Sequence, residues 1–216
     1  MVEAVCECSD GRCRRLTFRN VASFVMHRDA PVEGIGALKA DVAYGGMIYC
    51  IVDAQGPSFD LARDEARDLV RIGERIKAAA AEQLPSVHPE NPGIHTINQT
   101  LLAGPIRVEH GVKRSKNAVV ASPGRLDRCP CGTGTSARLA LLHAQGEIVT
   151  GKLFVLESII DTEFRSRVVE ATAVGGVPAM VPEVSGRARL TGISHYGVDP
   201  EDPFPEGYRL NDTWFA

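Results

Sequence analysis

The chain has 216 residues, enough for one large domain or two small ones. Its 44% hydrophobic and 24% charged residues exclude a disordered tail, a collagen and a coiled coil. With 24 Lys+Arg against 27 Asp+Glu the net charge is -3, and nothing in that balance favours nucleic acid or an anionic membrane as a partner. No apolar run reaches the roughly 18–20 residues that span a bilayer. Met1 to Arg15 lack the charged-then-apolar layout of an export signal. Six cysteines are too few for a disulfide scaffold, so a cytoplasmic protein is expected.

In chain order, Val2, Ala4, Cys6 and Cys8 alternate onto one strand face, Ser9-Asp10-Gly11 turns, and Cys13 to Phe18 return. That is an Asp-Gly hairpin. Strands are expected over Ser23 to Arg28 and Ile35 to Tyr44. After Gly45-Gly46, the apolar run Met47 to Val52 predicts a strand buried on both faces. Leu61, Ala66, Leu69, Val70, Gly73, Ile76, Ala80 and Leu84 recur at helical spacing. They predict a helix from about Asp60 to Gln83, capped by Ser58 or Asp60 and ended by Pro85. The arginines from Arg63 to Arg75 are interleaved with acids and read as its solvated face. Further strands are expected over Thr96 to Leu102, Ile106 to Glu109 and Ala118 to Ala121, then a second helix over Thr135 to Ala144. Strands follow over Leu153 to Ile159, Glu163 to Ala171, Val177 to Val184 and Ala188 to His195, before an irregular, proline-bearing tail from Asp199. Many strands with two substantial helices make an α+β pattern.

The chemistry concentrates in Asp127-Arg128-Cys129-Pro130-Cys131-Gly132-Thr133-Gly134-Thr135-Ser136-Ala137-Arg138. Cys131 sits in a Gly/Thr loop that opens the second helix. The first N–H groups of a helix have no intrahelical partner and, with the helix dipole, form an anion site. A thiol facing those donors is expected to fall below its free pKa of about 8.5. Such a loop holds a carboxylate beside a reactive cysteine; the other reading is a tight turn around an inert, buried thiol. Both stay open on local sequence.

The same stretch, continued through Leu139-Ala140, resembles the signature of the proline racemase family, which unites proline racemase, 4-hydroxyproline 2-epimerase and trans-3-hydroxyproline dehydratase. Asn20-Val21-x-Ser23-Phe24-Val25, Asp41-Val42-Ala43-Tyr44-Gly45-Gly46, Tyr49, Ile51-Val52-Asp53-Ala54, His88-Pro89-Glu90, Glu157-Ser158-Ile159-Ile160, Val181-Pro182-Glu183-Val184-x-Gly186, Thr191-Gly192 and Asp199-Pro200-x-Asp202-Pro203-Phe204 extend the resemblance over nearly the whole chain. It implies a diaminopimelate-epimerase-like α+β fold, with two pseudo-symmetric lobes of mixed sheet around a central helix. It also implies a cofactor-independent racemase or epimerase in which two cysteines work on opposite faces of the α-carbon of proline or hydroxyproline. Cys131 matches one base, Asp127 the residue that binds the ring nitrogen, and Gly132 and Thr133 the carboxylate cradle. No cofactor or metal is implied. The implied partner is a small imino acid, with no nucleic acid and no membrane, and a homodimer is expected because family members are commonly dimers.

The sequence also departs from the family. The Cys-Gly-His-Gly-type loop that carries the other base is missing from these 216 residues. The resemblance therefore implies an N-terminally truncated member with an incomplete first lobe. Residues 1–35 would be a remnant of that lobe, 36–185 a second lobe with the Cys131 loop, and 186–216 a strand and tail returning toward the first. Met1 is then an internal methionine or the start of a gene remnant, and little racemase activity is expected of the chain alone. A non-catalytic imino-acid-binding remnant and a hydroxyproline dehydratase relative are the alternatives; Cys131 argues against dehydratases that carry Thr there. Cys129 stands where the family usually has Ser, Met47 where a polar residue is common, and Asp161 where Gly is usual. Gln99 lies near the place of a His in 4-hydroxyproline epimerases, which weakens a hydroxyproline substrate.

Other candidates have plainer readings. Cys6, Cys8 and Cys13 lack an evident fourth ligand, so hairpin packing is expected over a metal. A Cys129–Cys131 disulfide would be strained across Pro130. His88 is expected to be structural. A cysteine hydrolase pairing Cys131 with a histidine has no assignable orienting group. Trp214 is expected to pack a lobe edge.

Overall fold

The computed structural model describes residues 3–36 and 38–208; Met1, Val2 and Trp214 lie outside the described residues. The strands are β1 (Glu3–Ser9), β2 (Arg12–Arg19), β3 (Ser23–Val32), β4 (Leu38–Tyr44), β5 (Ile48–Asp53), β6 (Gln99–Ala103), β7 (Arg107–Glu109), β8 (Val112–Ala121), β9 (Arg125–Leu126), β10 (Phe154–Glu157), β11 (Glu163–Val174) and β12 (Val177–Gly186). The helices are α1 (Ala66–Gln83) and α2 (Gly132–Ala144). All the strands belong to one mixed sheet.

The sheet closes on itself. Its order runs β3-β4-β5-β6-β8-β10-β11-β12, and β12 returns to pair with β3 through Ala179↔Phe24 and Met180↔Ser23. The β1–β2 hairpin continues the far end of β12, with Glu183↔Arg19 to Gly186↔Leu16 in register, and among the described residues β1 ends the sheet on that side. Two neighbour pairs are parallel, β5 with β6 and β8 with β10. Parallel neighbours need a long crossover, usually helical, and the two helices supply them: α1 between β5 and β6, α2 between β8 and β10.

Period-two alternation in β5 places the helices. Tyr49 and Ile51 join Ala43, Leu101, Val119, Ala137 and Leu141 in one core cluster, on α2. Cys50 and Val52 join Leu69, Ile76, Leu102 and Val120 in another, under α1. Both faces of β5 are thus covered, as its unbroken apolar run predicts. The remaining side of α2 meets β10, β11 and β12 through Leu139, Ala140 and Leu142 against Phe154, Leu156, Val168 and Met180. Gly134 to Ala137 and Leu139 to Leu142 are all buried, so α2 is covered on nearly every side and is the central helix of the barrel. The α+β fold with a mixed sheet around a central helix is the one the resemblance implies.

Several local expectations are corrected. Helix α1 starts at Ala66, after a short 3-10 turn at Arg63–Glu65, not at Asp60. Leu61 adopts φ 59, which helical backbone does not allow. Neither Ser58 nor Asp60 caps it; the Glu65 carboxylate accepts the N–H of Ala62 at 2.8 Å and of Asp60 at 3.3 Å. Ala188 to His195 is not a strand. Leu190 is 84% and Ile193 80% exposed, so its alternation has no core surface to cover. No described helix is long and apolar enough to cross a membrane.

Candidate active site

Helix α2 begins at Gly132, three residues before its expected start, with Cys131 as its N-cap. Gly132 and Thr133 therefore lie in the first turn, where backbone N–H groups have no intrahelical partner. Cys131 takes φ 66, the left-handed region that non-glycine residues rarely enter. Its backbone is held from both sides. Its carbonyl accepts Thr135 N–H at 2.8 Å and Thr135 Oγ1 at 2.6 Å, and its N–H donates to Cys129 Sγ at 3.3 Å. The approaching loop is pinned to the sheet by Asp127 N–H on Val119 O at 2.8 Å and Asn117 Nδ2 on Pro130 O at 3.2 Å.

The β4–β5 turn closes the other side. A Cβ at Gly45 would meet Ala137 N at 2.5 Å and the Thr133 carbonyl still closer. Only glycine lets this turn touch the helix backbone. Asn20 ties the strand linker to both partners, donating to Gly45 O at 2.9 Å and Ser136 Oγ at 3.0 Å. The inward side chain of Tyr49 ends at the site, with its hydroxyl 3.2 Å from Cys131 Sγ and 2.6 Å from Thr133 Oγ1. The α2 N-terminus is thus packed tightly enough to fix Sγ against the first turn.

The expected low thiol pKa is corrected. Burial pushes Cys131 up to about 11. The Tyr49 hydroxyl, the Gly134 N–H and the Thr133 hydroxyl act in the opposite direction, while the charge of Asp127 adds to the rise. The helix terminus does support a thiolate, but desolvation outweighs it. Burial, followed by the nearby Cys131, also holds the Tyr49 phenol well above its ordinary value of about 10. It is therefore a neutral group able to donate a hydrogen bond.

The loop brings the four residues read from the sequence together: Cys131, Gly132 and Thr133 along one turn, and Asp127 four residues upstream. Asp127 is partly buried, and its Oδ1 accepts Cys129 Sγ at 3.6 Å. Residue-level reading missed a role for Tyr49 and Asn20, since neither carries a local signal beyond its place on a strand or linker. Gln99, next to Tyr49 in register, is buried; its Nε2 reaches Met47 Sδ at 3.6 Å while Oε1 has no partner. The ring of His88 packs edge-on to Phe24 and Tyr44 at 5.3 and 4.7 Å, in keeping with a structural role.

The family profile for proline racemase matches residues 1–209. The chain belongs to the proline racemase family. Two solved structures show the same fold. A probable proline racemase from Agrobacterium radiobacter, with bound carbonate, is 35% identical with a TM-score of 0.84 over 99% of this chain and 62% of its own. A hydroxyproline epimerase from Agrobacterium vitis, with bound trans-4-hydroxy-L-proline, is 35% identical with a TM-score of 0.83 over 100% of this chain and 61% of its own. The chain spans less than two thirds of the length of these family members.

Proposed function

We propose that this chain carries one half of a cofactor-independent racemase or epimerase site for proline or a hydroxyproline. The observation that carries the reading is Cys131 Sγ held by Tyr49 at the N-terminus of α2, with Asp127 in the same loop. The substrate carboxylate would lie on the N–H groups of Gly132 and Thr133, and its ring nitrogen beside the Asp127 carboxylate. The Cys131 thiolate removes the α-proton. Negative charge then spreads from the α-carbon into the carboxylate, where the helix donors stabilise it. Reprotonation from the same thiol restores the starting stereoisomer; inversion requires a donor on the opposite face.

Cys6, Cys8 and Cys13 sit on the β1–β2 hairpin, Cys50 faces α1, and Cys129 belongs to the same loop as Cys131. We therefore assign a single base to these residues. The free cysteines are the ground for proposing a reducing, cytoplasmic setting. Homodimerisation remains part of the proposal through the family alone.

Incubation with L-proline and trans-4-hydroxy-L-proline in deuterated water tests this, with α-deuteration read by NMR and inversion by chiral chromatography. Exchange with retention, lost in Cys131→Ala, is the expected result. No exchange on either substrate would overturn the assigned site. Inversion as fast as exchange would overturn the single-base part.

A further inference from the structure

Three cysteines take no part in that reaction and lie together. Cys6 and Cys8 stand on β1, and Cys13 faces Cys8 across the hairpin. The register shift between Glu7 and Cys8 brings Cys6 diagonally onto Cys13. Cys6 Sγ donates to Cys13 Sγ at 2.9 Å and lies 3.4 Å from Cys8 Sγ. Cys6 and Cys8 are exposed and Cys13 is partly so, so an oxidant in solution can reach them. The hairpin projects beyond the closed circuit of strands, and the outer edge of β1 pairs with no other strand among the described residues.

We propose that Cys6 and Cys13 form a dithiol–disulfide couple, closed by a peroxide. The bond joins the two strands of the hairpin and is a modification site separate from the Cys131 loop. The hydrogen bond to Cys13, followed by the contact with Cys8, pushes Cys6 up to about 12. Cys13, whose sulfur accepts the hydrogen bond from Cys6, is the attacking sulfur. The Cys13 thiolate attacks one peroxide oxygen, the O–O bond breaks, and hydroxide leaves, giving a sulfenic acid. The Cys6 sulfur then attacks the Cys13 sulfur; its proton and the sulfenic hydroxyl depart as water. Two thiols are oxidised and one peroxide is reduced to two waters.

A metal is the poorer occupant. Tetrahedral zinc with bonds of about 2.3 Å spaces its sulfurs at roughly 3.8 Å, wider than the 2.9 Å approach of Cys6 to Cys13. No group of three or more His, Cys, Asp or Glu side chains placed to hold a metal ion occurs among the described residues. In a reducing compartment such a couple would be transient, as sensing disulfides are.

Peptide mapping by mass spectrometry after hydrogen peroxide treatment of the whole 216-residue chain tests the proposal. At a dose that oxidises half of the exposed Cys129, an intramolecular Cys6–Cys13 link should form in most molecules and reverse with dithiothreitol. In Cys6→Ser, Cys13 should accumulate as a sulfenic acid that dimedone traps; in Cys8→Ser, the link should still form. The proposal is overturned if Cys6 and Cys13 remain alkylatable at that dose, if Cys8 is the dominant partner of either, or if the link joins two chains. None of these outcomes bears on Cys131.

Discussion

Tyr49 and Cys131 set the chemistry at the scale of single residues. A buried thiol near 11 is almost wholly protonated at neutral pH, so its reactivity should follow the thiolate fraction. Alkylation of Cys131 by iodoacetamide should speed up roughly tenfold per pH unit from 7 to 10; a plateau by pH 8 would contradict the burial argument. Tyr49→Phe removes a hydrogen bond that favours the thiolate. At fixed pH it should slow alkylation about threefold to tenfold, the effect of about 1 kcal/mol. Faster alkylation would show that the phenol shields the sulfur instead of supporting its charge. Asp161 is a quieter case. It takes φ 62, with its carboxylate 2.8 Å from both Arg63 Nη2 and Lys116 Nζ. Two ion pairs hold the side chain of this left-handed residue, one to an exposed arginine and one to a half-buried lysine.

At the scale of elements, the contact between the β4–β5 turn and α2 is decisive. Gly45→Ala would drive a Cβ into Ala137 N and the Thr133 carbonyl, backbone atoms that cannot rotate away. The expected cost is about 1–3 kcal/mol, with the N-terminus of α2 displaced and the Tyr49–Cys131 contact loosened. Gly56→Ala is the control, because its nearest neighbour is Asp53 O at 3.4 Å; it should change stability by less than about 0.5 kcal/mol. Denaturant melts that rank the two variants equally would refute the close-packing account. Leu139 is fully buried on the β10–β12 side of α2, so Leu139→Ala should cost about 2–5 kcal/mol in the same melts.

At the scale of the whole molecule, the closed barrel makes stability depend on alkaline pH. Burial raises Cys50 to about 12 and Cys131 to about 11, against about 8.5 in an unfolded chain. Below that unfolded value both states hold these protons and the contribution is complete. As pH rises toward the folded values the unfolded state releases protons that the folded state keeps, and stability is lost. The denaturation midpoint should therefore fall steadily between pH 9 and 11, a window set by these shifts. Cys50→Ala should lower the midpoint at pH 8 through the cavity it leaves, yet give a shallower decline above pH 9. An unchanged slope would place the alkaline sensitivity elsewhere.

Much of this protein is legible in its sequence wherever the signal is local. The hairpin at Asp10-Gly11, the doubly buried β5 and the body of α1 follow from turn chemistry and apolar periodicity. The loop from Asp127 to Arg138 marks the site and, with the longer resemblance, the family. Other features follow only from tertiary contacts. The α2 N-terminus forms at Gly132, not Thr135, because Gly45 and Asn20 hold that turn from residues distant in the chain. The strand-like alternation of Ala188 to His195 comes to nothing because no surface covers it. The residue types in the loop determined that a thiol would stand beside a helix terminus. The packed barrel around that thiol decided its charge, because desolvation by many neighbours outweighed the few donors that the local sequence supplies.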